Sequence, residues 1–88
     1  MYEIIVENPA ERFIRQLKKE EQKRVLDKIN ELSLNPRKGK ELVGRLAGLR
    51  SLRFDNYRIV YKVENTKLIV LVLRVGYRGD IYSKKMGK

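Results

Sequence analysis

The sequence predicts an α+β domain in which a helical hairpin packs on a mainly antiparallel, twisted sheet, in the order β-α-α-β-β-β. Three observations support this class. Apolar residues recur at helical spacing in two stripes before Pro36, later runs alternate between apolar and polar residues, and turn-forming pairs separate those runs. The 88 residues fit a single domain, which we place at residues 1–88.

The chain begins with a predicted strand and a helix start. Apolar and polar residues alternate over residues 2–7, which is typical of a strand with one solvated side. Asn8 suits the N-cap of the following helix, and Pro9 suits its first helical position.

Two apolar stripes predict the two helices of the hairpin. They comprise Ala10, Phe13, Ile14 and Leu17, and then Val25, Leu26, Ile29 and Leu32. The segment from Lys18 to Lys23 contains no apolar residue, so it is predicted to be the turn between the helices. Asn35-Pro36 ends the second helix, because the residue before a proline disfavours the helical conformation.

The second part of the chain is predicted to be a loop followed by three strands. The segment from Arg37 to Gly48 is polar and contains three glycines, which indicates a loop with a short element near residues 42–46. The turn pairs Asp55-Asn56 and Asn65-Thr66 then separate strands over residues 49–54, 57–64 and 68–75. The last strand is almost entirely apolar, which favours a central strand buried on both faces.

The positive charge is confined to this second part. The whole chain has 21 Lys and Arg against 11 Asp and Glu, a net charge of +10. Residues 1–36 hold seven basic and seven acidic residues, so the entire excess lies in residues 37–88, with fourteen basic and four acidic residues. This segregation favours a basic surface for a polyanionic partner: nucleic acid, a membrane surface or an acidic protein.

The composition excludes several kinds of chemistry. The chain has no Cys, which excludes disulfides, a thiolate nucleophile and Cys-containing zinc sites. It has no His, which removes the commonest general base and metal ligand. We therefore expect no metal and no cofactor. The longest apolar run, Leu68 to Leu73, is too short to span a bilayer, and the N-terminus does not resemble a signal peptide, so we expect a cytoplasmic protein.

A set of arginines and tyrosines remains as the candidate site. Its members come from successive strands or strand ends: Arg50, Arg53, Arg58, Arg74 and Arg78, with Tyr57, Tyr61, Tyr77 and Tyr82 interleaved. Guanidinium groups pair with phosphates and tyrosine rings stack on bases, so this set suits contacts to single-stranded RNA. Two alternatives stay open: Tyr57 and Tyr61 as core aromatics, and Arg58 as an ordinary surface residue of a strand.

Three segments then point to a known family. They are Leu46-Ala47-Gly48, the run from Leu52 to Tyr61 (LRFDNYRIVY), and Val75-Gly76-Tyr77-Arg78 with Ile81-Tyr82. Together they resemble the RelE/ParE superfamily of toxins from type II toxin–antitoxin systems, and the predicted element order and the chain length agree. The resemblance implies a protein antitoxin of the RelB kind as partner. It also implies one of two activities: RelE-like members cut messenger RNA in the ribosomal A site, whereas ParE-like members inhibit DNA gyrase and lack the RNA-cutting residues.

The resemblance also implies roles for individual residues. Arg58 and Arg78 match arginines that contact the scissile phosphate, Tyr82 matches a tyrosine that activates the attacking 2′-hydroxyl, and Arg53 matches one of two basic residues on the preceding strand. The second basic position is Ser51 here, a departure from the family pattern. Tyr77 also departs, since that position is often His or Lys. Further RNA or ribosome contacts are predicted at Arg50, Arg45, Lys40, Arg74, Tyr77, Lys84 and Lys85.

The sequence therefore predicts a ribosome-dependent endoribonuclease toxin that acts on messenger RNA and is neutralised by an antitoxin. It predicts no membrane partner and no obligate small-molecule ligand. The alternatives are a ParE-like, non-catalytic inhibitor of DNA gyrase and a non-toxic RNA-binding module.

Overall fold

A computed structural model describes residues 1–79 of the chain. Two helices lie against one five-stranded sheet with the strand order β1-β5-β4-β3-β2. The elements in chain order are β1 (Glu3–Val6), α1 (Asn8–Arg15), α2 (Lys19–Leu34), β2 (Lys40–Glu41), a short 3-10 helix (Gly44–Leu46), β3 (Arg50–Phe54), β4 (Tyr57–Glu64) and β5 (Ile69–Tyr77). β1 and β5 are parallel and the other pairs are antiparallel. The predicted α+β class and element order are confirmed, and β2 is an additional short strand at the sheet edge.

The start of α1 differs from the prediction by one residue. Asn8 is already helical, and Glu7 occupies the N-cap position without a side-chain hydrogen bond to the helix. The Glu11 N–H donates to the Glu7 carbonyl at 2.9 Å. Pro9 is tolerated near the helix start because the first N–H groups of a helix have no intrahelical acceptor.

The turn between the helices is shorter than predicted. Helix α2 begins at Lys19, so the predicted turn from Lys18 to Lys23 is wrong for most of its length. Gln22 explains how a turn without Gly or Pro closes: its side-chain amide donates to the carbonyls of Arg15 at 3.2 Å and Leu17 at 3.1 Å. These bonds satisfy the carbonyl of the last residue of α1, which has no partner within the helix, and a carbonyl in the turn that follows.

One face of the sheet forms the core with the two helices. Its fully buried side chains include Val25, Ile29 and Leu32 from α2, and Ile59 and Tyr61 from β4. The opposite face of β5 is only half-buried at Ile69, Leu71 and Leu73, so the prediction that this strand is buried on both faces is wrong. The helices cover one face of the sheet, and we call the other the open face.

A β-bulge in β5 determines which residues reach the open face. Tyr61 pairs with Val72 and Val60 pairs with Arg74, so Leu73 has no direct partner in β4. The extra residue shifts the alternation of side chains by one position. As a result Val75 stays in the core with Val72, while Arg74 lies on the open face.

Within residues 1–79, neither helix combines the length and the apolar character that a membrane crossing requires.

Candidate functional site

The open face of the sheet carries a row of cations from four strands. β3 and β4 place Arg53 and Arg58 there, because their neighbours Leu52 and Ile59 point into the core. The strand register adds three further cations to this face: Lys40 from β2, Lys62 from β4 and Arg74 from β5. Four of the predicted site residues, Lys40, Arg53, Arg58 and Arg74, therefore share one surface.

Arg53 and Arg58 lie directly opposite each other on neighbouring antiparallel strands. Like charges in such a pair destabilise a sheet by about 0.2–1 kcal/mol. The pair therefore concentrates positive charge at one point of the open face. A phosphate group suits such a pair, since guanidinium groups bind its oxygens through paired hydrogen bonds.

The arginine pair borders an open cleft of approximately 360 Å³. The described residues that line the cleft are Lys38, Lys40, Leu42, Ser51, Leu52, Arg53 and Arg58. Four of these seven residues are cations, and no described lining residue is a carboxylate. The cleft is therefore suited to binding an anion.

Ser51 gives Arg58 a defined position beside the cleft. The Ser51 side chain is buried, with 6% of the residue exposed. Its hydroxyl oxygen accepts a hydrogen bond from Nη1 of Arg58 at 3.1 Å. The residue that departs from the family pattern is thus in contact with a predicted catalytic arginine.

Arg78 follows the end of β5, close to the strands that carry the arginine pair. Its backbone N–H donates to the carbonyl of Asn56, in the β3–β4 turn, at 2.9 Å. Two residues earlier, Gly76 is the Cα partner of Arg58. The side chain of Arg78 is exposed. This backbone contact holds Arg78 at the same end of the sheet as Arg53 and Arg58.

Other predicted contact residues lie elsewhere. Arg50 lies on the helix-covered side at the sheet edge, where Nη1 donates to the Gly39 carbonyl at 2.6 Å and Nη2 is 3.6 Å from the Glu41 carboxylate. Arg45 is exposed on the short 3-10 helix. The predicted residues Tyr82, Lys84 and Lys85 lie outside the described residues.

Tyr77 belongs to an aromatic cluster on the helix-covered side. Its ring stacks on Tyr57 with centroids 5.6 Å apart and meets Phe13 of α1 edge-on at 5.2 Å. Tyr77 remains 46% exposed, whereas Tyr57 is buried. The structure therefore does not bring Tyr77 to the open face.

Tyr57 and Tyr61 are buried in the core, which agrees with the alternative that they are core aromatics. The Tyr57 hydroxyl donates to Oε1 of Glu21 at 2.7 Å. This hydrogen bond raises the pKa of Tyr57 to about 12, and the same bond is the main reason why the pKa of Glu21 is lowered. Burial raises the pKa of Tyr61. Both phenols are thus poor proton acceptors near neutral pH.

Tyr61 also anchors the loop that borders the cleft. Its hydroxyl accepts a hydrogen bond from the Gly39 N–H at 2.8 Å and donates to the Pro36 carbonyl at 2.7 Å. Only glycine fits at position 39, because a Cβ atom there would lie 2.6 Å from the Tyr61 hydroxyl and 2.9 Å from the Ser51 carbonyl oxygen. These contacts fix the backbone between Lys38 and Lys40.

Three site residues were not singled out as contacts by the sequence. Lys62 could have been found, because it follows Arg58 at the four-residue spacing that keeps a strand residue on the same face. Lys38 gave no such signal; it lines the cleft from a loop, with Nζ 2.8 Å from Oε1 of Glu31. Ser51 was noted only as a departure, since its contact with Arg58 depends on pairing between strands.

The described residues offer no metal site: residues 1–79 contain no group of three or more Asp, Glu, His or Cys side chains that could hold an ion.

The fold and the basic open face define a small toxin-like domain, and comparison with known proteins agrees. Residues 4–82 match the family described as the ParE toxin of the type II toxin–antitoxin system, parDE. This match extends over most of the chain, so the protein belongs to this family, within the RelE/ParE superfamily.

One named relative and two of the similar solved structures carry RelE-type names. The chain is 40% identical over 57 residues to Toxin RelG of Mycobacterium tuberculosis (strain ATCC 25618 / H37Rv). This aligned segment covers 64% of the present chain and 66% of the relative. The RelBE2 toxin–antitoxin complex of M. tuberculosis contains a chain with a TM-score of 0.81 and 32% identity, covering 88% of this chain and 98% of that one. The isolated E. coli RelE toxin has a TM-score of 0.74 and 25% identity, covering 99% and 97%.

Proposed function

We propose that this protein is a ribosome-dependent endoribonuclease that cuts messenger RNA in the ribosomal A site and so inhibits translation. The observation that carries the proposal is the directly opposed pair Arg53 and Arg58, which borders a cleft lined by cations. Two neighbouring guanidinium groups beside a basic cleft suit the binding of an RNA phosphate. The RelE-like relatives favour the same branch of the superfamily.

The proposed reaction uses the 2′-hydroxyl of the RNA as the nucleophile. The 2′-oxygen attacks the adjacent phosphorus and loses its proton, while the bond from phosphorus to the 5′-oxygen breaks and that oxygen gains a proton. The products are a 2′,3′-cyclic phosphate and a 5′-hydroxyl end. Negative charge builds on the nonbridging phosphate oxygens in the transition state, and Arg58 and Arg78 are proposed to stabilise it.

Proton transfer is expected to contribute less to the rate than stabilisation of the phosphate charge. The cleft residues described in the structure supply neither a carboxylate nor an imidazole. A tyrosine titrates near pH 10 and an arginine above about 12, so neither matches a base at neutral pH. Tyr82 remains the predicted group for activating the 2′-hydroxyl. We expect the ribosome to supply much of the rate by orienting the RNA.

The charge distribution supports docking on ribosomal RNA. The entire net charge of +10 lies in residues 37–88, which include every strand that contributes a cation to the open face. Such a surface raises the rate of encounter with a polyanion and makes binding sensitive to salt.

The proposed protein partner is an antitoxin of the RelB kind. Structural neighbours of this chain come from toxin–antitoxin complexes, including RelBE2 of M. tuberculosis. We expect the antitoxin to present acidic and apolar segments that cover or distort the arginine site. The toxin is expected to act in the cytoplasm, where translating ribosomes are found.

The proposal is tested by primer extension on translating ribosomes with the purified protein. Wild-type protein is expected to produce a cut within the A-site codon, and Arg78→Ala is expected to abolish most of it. An uncut message with the wild type, or undiminished cleavage with Arg78→Ala, would contradict the proposal.

A second candidate is inhibition of DNA gyrase without catalysis. The observation in its favour is the family match, since that family is described as the ParE toxin. The presence of Arg58, Arg78 and Tyr82 together in the sequence argues against it, because the ParE branch is expected to lack RNA-cutting residues. A supercoiling assay that shows inhibition of gyrase, while ribosomes remain unaffected, would reverse the ranking.

A further inference from the structure

We infer that Ser51 is a positioning residue of the active site: its buried hydroxyl holds the guanidinium of Arg58 in the geometry that the reaction requires. The inference rests on the proposed function. It gives a role to a position where the family pattern carries a basic residue and this chain carries a neutral one.

The strand register brings the two side chains together. Ser51 is the Cα partner of Val60 in β4, so Arg58 is its diagonal neighbour on the open face. Diagonal neighbours in an antiparallel pair are about 7–8 Å apart, a distance that an arginine side chain spans easily. The Nη1 to Oγ distance of 3.1 Å shows that Arg58 extends along the sheet toward Ser51.

Burial makes the hydroxyl a fixed acceptor. Ser51 is 6% exposed and lies between β2 and β4, where its Cα partners are Lys40 and Val60. An arginine side chain has many rotamers, and one bond to a fixed point restricts them. The hydrogen bond to Ser51 involves one of the five N–H donors of the guanidinium, so it orients the planar group.

Serine also differs from a charged residue in what it adds beside Arg58. A carboxylate at position 51 would neutralise Arg58 and weaken its pull on a phosphate. A lysine would add a third positive charge beside the opposed pair Arg53 and Arg58. A hydroxyl orients the guanidinium and adds no charge of its own, and preorganised groups act most strongly in the transition state.

Single-turnover cleavage on programmed ribosomes tests the inference. Ser51→Ala is expected to lower the maximal cleavage rate about tenfold, the size of effect typical for a hydrogen bond to a charged group. The toxin concentration that gives half-maximal rate is expected to change less than twofold. Ser51→Thr retains the hydroxyl and is expected to stay within about threefold of the wild type.

The double variant Ser51→Ala/Arg58→Ala separates positioning from a general structural role. If Ser51 acts through Arg58, removing Ser51 has no further effect once Arg58 is absent. Ser33→Ala is the matched control, because its hydroxyl donates to the Tyr2 carbonyl at 2.7 Å and Ser33 is not among the described residues that line the cleft. That control is expected to lower the melting temperature and leave the cleavage rate unchanged.

A spectroscopic measurement keeps this inference separate from the proposed function. Nuclear magnetic resonance of the arginine side chains in the isolated toxin reports how fast the Arg58 guanidinium rotates. Ser51→Ala is expected to speed this rotation, whether or not the protein cuts RNA. An unchanged rotation, a wild-type cleavage rate in Ser51→Ala, or an equal proportional loss in the Arg58→Ala background would each overturn the inference. A wild type that does not cut RNA but shows the change in rotation overturns the proposed function alone.

Discussion

The two faces of the sheet differ in the polar groups that they carry and in where those groups lie. On the helix-covered face, the hydroxyls of Tyr57 and Tyr61 are buried, and each has a hydrogen-bond partner within the protein. On the open face, Arg53 and Arg58 are placed directly opposite each other. The helix-covered face pairs its polar groups within the core, and the open face concentrates positive charge at the surface.

The difference separates the part of the domain that stabilises the fold from the part proposed to bind RNA. A chain of 88 residues has a small core and a modest stability, and the helix-covered face supplies that core. In the proposed function, the cations of the open face bind RNA phosphates. The comparison predicts that changes on the open face remove activity and preserve stability, whereas changes on the covered face do the reverse.

The largest expected effect is that of Arg58→Ala on RNA cleavage. Removing a preorganised donor to a phosphate oxygen is expected to lower the cleavage rate about 100- to 1,000-fold. The control is Arg15→Ala, which removes an exposed ion pair with Glu11 on α1 and is expected to leave the rate unchanged. Single-turnover primer extension measures both. Equal cleavage rates for the two variants would contradict the proposal that the open face carries the activity.

The next effect is on stability, from Tyr61→Phe on the covered face. The change leaves the Gly39 N–H and the Pro36 carbonyl without their partner, which is expected to lower the free energy of unfolding by about 1–3 kcal/mol. Gly39→Ala tests the same close approach from the other side. Urea denaturation measures both variants, and an unfolding free energy equal to that of the wild type would argue against this anchor.

A smaller effect in the opposite direction is expected for Arg53→Thr. Relief of the like-charge pair is expected to raise the free energy of unfolding by up to about 1 kcal/mol, with about a tenfold loss of cleavage. Lys62→Thr is the control, because Lys62 faces Leu71 rather than a cation and is 3.2 Å from Glu64. If Arg53→Thr is no more stable than Lys62→Thr, the arginine pair does not oppose folding.

The smallest effect concerns the alkaline side of the stability profile. The pKa of Tyr57 is about 12 in the folded protein, above its ordinary value of about 10. The contribution of the Tyr57 hydrogen bond to the free energy of unfolding is therefore complete below about pH 10 and is lost as the pH rises toward 12. The gap in melting temperature between wild type and Tyr57→Phe is expected to shrink over that range. A gap that stays constant with pH, as expected for Ser33→Ala, would contradict the role of the Glu21 hydrogen bond.

Local patterns in the sequence predicted most of the fold. The apolar stripes ending at Leu17 and Leu32 gave both helices, because a helix must bury one face to be stable. Alternation in β4 placed Ile59 and Tyr61 inside and Arg58 outside. The helix ends were less well predicted, since the turn after Arg15 depends on a hydrogen bond from the Gln22 side chain, and such bonds leave no periodic signal.

The sequence predicted some of the residues that share the open face, and the predicted contact residues that lie elsewhere have a common structural explanation. Arg50 and Arg53 are three residues apart on one strand, so they lie on opposite faces, and only Arg53 reaches the cleft. The bulge at Leu73 moves Arg74 to the open face and Tyr77 to the covered one. The contact between Ser51 and Arg58 depends on the register between strands, which composition and spacing do not specify.

The most direct test of the central claim uses the chemistry of the RNA itself. Ribosomes are programmed with a message, and the position of the cut made by the wild-type toxin is mapped. A second message carries a single 2′-deoxynucleotide immediately before the scissile phosphate, so the proposed nucleophile is absent. We predict that the first message is cut to a 2′,3′-cyclic phosphate and a 5′-hydroxyl end and that the second stays intact. Cleavage of both messages at the same position, or of neither, would contradict the claim that the open face cuts RNA through its 2′-hydroxyl.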